Sequence, residues 1–81
     1  MTLRDDVWDA ALMEVANRGQ FKISDLPFEE EQRHTVRRTL REMQDKGWLR
    51  RESKQAAIYR LGSKAEMMLD ISPEVIEASR E

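Results

Sequence analysis

The chain has 81 residues, 37% of them charged and 40% hydrophobic, with no cysteine and a net charge of −2. This length predicts one small domain with little room for a deep substrate cavity. The lack of cysteine excludes disulfides, thiolate metal sites and cysteine nucleophiles. Because no apolar run approaches the roughly 18 to 20 residues of a membrane span and no signal peptide opens the sequence, we expect a cytoplasmic protein.

The first element in the chain is an amphipathic helix. Apolar residues recur three and four positions apart, which predicts a helix from about Leu3 to Asn17, capped by Thr2 and ended by Gly19. Residues 21–26 then indicate a turn into a brief helix whose apolar side chains point inward: Phe21, Ile23 and Leu26.

The stretch from about Glu30 to Lys46 is the clearest helix in the sequence. Val36, Leu40 and Met43 fall on one side of it, which predicts that they anchor in the core, and Gly47 ends it. Residues 48–52 and 57–61 follow as two short predicted strands of a hairpin, with Leu49, Tyr59 and Leu61 sharing the inward face at period two.

Two short helical pieces close the chain, residues 64–69 and, after the cap Ser72, a helix from Pro73 to about Ser79. The predicted fold is α+β and mainly α: a winged helix-turn-helix with a three-helix core, a two-stranded wing hairpin and one or two C-terminal helices. We expect a winged-helix domain at residues 1–69 and a helical extension at residues 70–81.

The large aromatic and sulfur side chains are predicted to pack rather than to bind a ligand. Trp8, Phe21, Trp48 and Tyr59 each fall on an inward position. The four methionines after Met1 (Met13, Met43, Met67 and Met68) are likewise expected to fill gaps in the core.

Charge is distributed unevenly along the chain. Nine basic and three acidic residues lie between Arg33 and Arg60, whereas the rest of the chain carries five basic and thirteen acidic residues. An asymmetry of this size indicates one side that faces a polyanion.

The long helix concentrates this charge on the arc opposite its apolar side. At about 100° per residue, four basic side chains project together and Arg33 lies beside them at the helix start. An α-helix fits the major groove of DNA, where guanidinium groups pair with guanine O6 and N7. We therefore expect base readout by Arg33, His34, Arg37 and Arg38; the alternative is a solvated charged face.

A second set of basic residues is predicted to contact phosphates. Most of it lies on the hairpin, where such contacts fix register and supply salt-sensitive affinity. The set comprises Lys22, Arg41, Arg50, Arg51, Lys54 and Arg60. The alternative for the hairpin is an edge that charge protects from aggregation.

Several segments resemble small archaeal winged helix-turn-helix regulators of the haloarchaeal type. They are Ser24-Asp25-Leu26-Pro27, the run TVRRTLREM at residues 35–43, KGWLRRE at residues 46–52 and YRLG at residues 59–62. The resemblance covers about Leu3 to Leu69. It implies a recognition helix at Gln32 to Lys46, a wing at Trp48 to Leu61, no cofactor and often a homodimer.

The sequence thus predicts a double-stranded DNA-binding transcriptional regulator associated with the nucleoid. It would read the major groove with the helix at about residues 31–46 and phosphates with the wing at about residues 48–61. The alternative is a winged-helix protein–protein interaction module without direct DNA contact. An enzyme is not expected, because His34 is the one histidine and no catalytic set is apparent. We expect neither a metal site nor a small-molecule ligand.

Overall fold

The structure is a computed structural model that describes residues 2–53 and 55–80. It is α+β and mainly helical, with a three-stranded antiparallel sheet. In chain order the elements are α1 (Leu3–Arg18), β1 (Gln20–Lys22), two 3-10 turns (Ile23–Asp25 and Glu30–Gln32), α2 (Arg33–Asp45), β2 (Leu49–Arg50), β3 (Ile58–Leu61), α3 (Ser63–Met68) and α4 (Pro73–Ser79).

Helix α1 begins and ends where its capping residues require. The Thr2 hydroxyl accepts a hydrogen bond from the Asp5 N–H at 3.3 Å, which satisfies a backbone donor that the first turn leaves free. Gly19 ends the helix at φ 81°, a left-handed conformation that suits glycine. The predicted helix is confirmed, one residue longer than expected.

The prediction for residues 21–26 was wrong in part. Gln20–Lys22 forms a strand, and the expected brief helix is reduced to the single 3-10 turn Ile23–Asp25. Phe21 and Leu26 are buried as predicted, whereas Ile23, which was also predicted to point inward, is half-buried. Three residues are too few for an alternating pattern to be visible, and β1 exists because it pairs with β3. The predicted three-helix core therefore has a short turn in place of its middle helix.

Helix α2 confirms the prediction on which the proposed site depends. Val36, Leu40 and Met43 are all 0% exposed, so the opposite side of the helix must face outward. The α-helix starts at Arg33, after the 3-10 turn Glu30–Gln32.

The sheet has the order β1-β3-β2, so the predicted hairpin gains a third strand. Leu49 pairs with Leu61 and Arg50 with Arg60. Leu49, Tyr59 and Leu61 are buried, which confirms their shared inward face. Both hairpin strands are shorter than predicted.

Four of the five aromatic residues pack in two pairs. Phe21 stacks on Tyr59 with ring centroids 5.4 Å apart, and half-buried Trp8 meets half-buried Trp48 edge-on at 6.2 Å. The prediction of packing was wrong for three methionines. Met13, Met67 and Met68 are 65%, 78% and 66% exposed, whereas Met43 is in the core.

Helix α4 packs against the end of α1. The backbone of Gly19 approaches it so closely that a Cβ there would lie 2.6 Å from the Val75 carbonyl oxygen. Among the helices that the described residues form, none has the length and apolar character that crossing a bilayer requires.

Candidate nucleic-acid interface

The outward side of α2 carries the predicted base-reading residues. His34, Arg37 and Arg38 are exposed, as is Arg41, and Arg33 at the first turn is half-buried. The structure thus brings all five side chains to one helix, on the side that Val36, Leu40 and Met43 leave free.

The arginines of α2 differ from every other arginine of the chain in their contacts. Six arginines outside α2 each have a hydrogen bond or ion pair within the protein: Arg4, Arg18, Arg50, Arg51, Arg60 and Arg80. The four on α2 (Arg33, Arg37, Arg38 and Arg41) have no such partner among residues 2–53 and 55–80. Their donors are available to an external acceptor.

The one glutamate of α2 is engaged elsewhere. Glu42 accepts hydrogen bonds from Arg4, through Nη2 and through Nε at 3.2 Å, and its Oε1 lies 3.4 Å from Lys46 Nζ. The hydrogen bond from Arg4, followed by the nearby charges of Arg4 and Lys46, holds the pKa of Glu42 below its ordinary value. Glu42 therefore does not compensate the charge of Arg38, the partner that helix spacing suggests.

A groove of about 520 Å³ separates α2 from the turn after β1 and from the β2–β3 loop. Among the residues that the structure describes, five basic side chains and no carboxylate line it. The lining residues are Lys22, Ile23, Ser24, Arg33, Arg37, Arg41, Arg51, Gln55, Ala56, Ala57 and Tyr59. Concentrated positive charge of this kind attracts a polyanion.

Arg51 holds the hairpin side of the groove in place. Its guanidinium lies 4.8 Å from the centroid of the Tyr59 ring, and its Nε and Nη2 donate to the Ala56 carbonyl oxygen at 3.1 and 2.8 Å. These contacts fix the direction of the side chain before any ligand binds.

Arg50 and Arg60, two of the predicted phosphate contacts, lie away from this groove. Side chains alternate between the faces of a strand, so these two point away from the buried face that Tyr59 occupies. Both donate to the Ser79 carbonyl oxygen, at 3.1 and 3.0 Å, and Arg60 also donates to Gln20 Oε1 at 3.0 Å. Their donors fasten α4 to the sheet.

The other predicted phosphate contacts divide as follows. Lys22, Arg41 and Arg51 line the groove. Lys54 lies outside the described residues.

Sequence reasoning missed the apolar part of the groove, formed by Ile23, Ala56 and Ala57. No local pattern marks these residues, because Ile23 lies more than 30 positions before Ala56 and Ala57 and only the fold brings them together. It also missed the acceptor role of Ser79, which the sequence indicated only as the end of a helix.

Acidic residues precede α2 at Glu29, Glu30 and Glu31, all exposed. A hydrogen bond between the carboxyl groups of Glu29 and Glu31 raises the pKa of Glu29. Negative charge at this position is favourable beside the helix N-terminus. The basic surface of α2 therefore begins at Arg33, after these three carboxylates.

Within residues 2–53 and 55–80 no three histidine, aspartate or glutamate side chains converge as a metal site would require. Neither a protein-family model, nor a curated protein, nor a solved structure matches this chain.

Proposed function

We propose that the chain is a winged-helix protein that binds double-stranded DNA and regulates transcription at the nucleoid. Helix α2 is the recognition helix, the β2–β3 hairpin is the wing, and the protein carries out no catalytic step. The resemblance to small archaeal winged helix-turn-helix regulators stays a prediction. The arrangement of α2 with its apolar side in the core and a hairpin directly after it supports the winged-helix assignment.

The observation that carries the proposal is the set of four α2 arginines without partners in the described chain. Like charges three and four positions apart repel one another and destabilise a helix slightly. Binding to an external polyanion would neutralise this repulsion. DNA is a suitable polyanion because its major groove is wide enough to admit an α-helix.

A selection followed by a salt titration tests this function. Duplexes that bind the protein are first enriched from a random pool, and fluorescence anisotropy then gives their affinity at several salt concentrations. We expect a steep loss of affinity as salt rises, because each neutralised phosphate releases counterions. Absence of binding to any duplex at low salt would refute the proposal.

A second candidate function is protein–protein contact, and a different feature favours it. Met13, Met67 and Met68 are exposed, and flexible methionines suit adaptable contact surfaces. Light scattering at high protein concentration tests the homodimer form of this candidate. A monomer at every concentration would remove the homodimer form, while DNA binding that persists in a monomer would leave the first proposal intact.

A further inference from the structure

The basic side chains of α2 fall into two groups that face different surroundings. Arg33, Arg37 and Arg41 follow one another at four-residue spacing and line the groove beside the hairpin. His34 and Arg38 are exposed on the part of the helix that lies outside that groove. Four residues advance an α-helix by about 6 Å, so the first group forms a single row along its axis.

We infer, on the basis of the proposed function, that these two groups have different tasks: the row Arg33, Arg37 and Arg41 holds the sugar-phosphate backbone of one DNA strand in the groove, and His34 and Arg38 read base edges. This assignment moves Arg33 and Arg37 from the base-reading set that the sequence predicts to the backbone set.

The shape of the surface supports the division. Base edges lie at the floor of a major groove about 12 Å wide and 8.5 Å deep, so only a projecting side of a helix reaches them. A strand backbone projects from the duplex, and a walled groove is complementary to it. His34 and Arg38 are exposed outside the groove, whereas Arg33, Arg37 and Arg41 line it.

The chemistry of the groove agrees with a backbone ligand. Lys22 and Arg51 supply positive charge from the side opposite the row, so a strand lying between them would meet cations on both sides. Ile23, Ala56 and Ala57 offer apolar contact, which suits the carbon atoms of deoxyribose. Arg51 is already held over Tyr59, so its positive charge is ordered beside the groove at little further cost in side-chain entropy.

Arg37 and Arg38 form a matched pair that tests the division. They are adjacent, both are exposed, and neither has a partner among the described residues. The test compares Arg37→Ala and Arg38→Ala by anisotropy on two probes, a duplex enriched from a random pool and a duplex of random sequence, at several salt concentrations. Circular dichroism verifies that both variants are folded.

For Arg37→Ala we expect equal weakening on both probes, an unchanged ratio of the two affinities and a salt slope smaller by about 1. For Arg38→Ala we expect that ratio to fall by about 5- to 150-fold. Arg33→Ala and Arg41→Ala should behave like the first variant, and His34→Ala like the second.

A fall of the ratio in Arg37→Ala as large as that in Arg38→Ala would overturn the division, and so would an unchanged ratio in Arg38→Ala. In both of these cases the wild-type protein still binds DNA, so the proposed function stands. A wild-type protein that binds no duplex at low salt overturns both.

Discussion

Replacing Arg60 by methionine would show whether this residue serves the fold or the DNA. The side chain is 12% exposed, and its Nη1 donates to the Ser79 carbonyl oxygen and to Gln20 Oε1, both at 3.0 Å. Methionine keeps an unbranched apolar stem of similar length but has no donor. The substitution therefore removes the polar contacts with little loss of packing.

The expected cost follows from the two hydrogen bonds. A bond from a charged donor contributes about 1.5–3 kcal/mol. The Ser79 carbonyl oxygen retains the bond from Arg50, and the ion pair with Glu52 adds little because that carboxylate is 75% exposed. We therefore expect the free energy of unfolding to fall by about 3–4.5 kcal/mol, the lower half of the roughly 3–6 kcal/mol that two such bonds contribute together.

Urea denaturation followed by circular dichroism measures this loss. Arg38→Met is the control, since that side chain is exposed and has no partner among the described residues; its unfolding free energy should change by less than about 0.5 kcal/mol. DNA affinity of folded Arg60→Met should equal that of the wild type. A variant that keeps wild-type stability but loses affinity and salt dependence would show that Arg60 contacts phosphate and does not hold the fold together.

Three further predictions concern the anchoring of α2 in the core, the packing of α4 against α1, and the ion pair between α1 and α2. Leu40→Ala should lower the free energy of unfolding by about 2–5 kcal/mol, measured in urea, because Leu40 is fully buried in the core; a smaller loss would mean that α2 is not anchored there. Gly19→Ala should cost more than about 1 kcal/mol by the same assay, since φ is 81° and a Cβ would meet the Val75 carbonyl oxygen; a neutral effect would contradict the close packing of α4. Glu42→Gln should destabilise the protein at pH 7. The pKa of this carboxyl is lowered in the folded state, so its contribution is present above the ordinary value of 4.5 and disappears as the pH falls through the folded value. A difference between wild type and Glu42→Gln that persists at low pH would exclude the charged interaction with Arg4 as its cause.

The sequence predicted the parts of this protein whose signals are local. Val36, Leu40 and Met43 recur at helical spacing, and that spacing alone was sufficient to place the arginines of α2 outside. Capping residues located both ends of α1 and the start of α4 in the same way.

Features that depend on distant segments could not be read in this way. Strand β1 has three residues and exists through its pairing with β3, almost 40 positions later. In the sequence, Arg50 and Arg60 cannot be distinguished from Arg51, because all three are arginines of one hairpin. In the structure, side chains alternate between the faces of a strand, so Arg50 and Arg60 donate to the Ser79 carbonyl oxygen instead of lining the groove. A count of basic residues in a hairpin does not distinguish these two directions.

Gly19 has a consequence for comparing this chain with relatives. Its carbonyl oxygen accepts a hydrogen bond from the Leu61 N–H at 3.2 Å, and the Val75 carbonyl oxygen occupies the space where a side chain would begin. A homologue with any larger residue at this position could not keep α4 where it lies here. The residue at this position in a relative therefore predicts whether a terminal helix can pack against the end of its first helix as closely as it does in this chain.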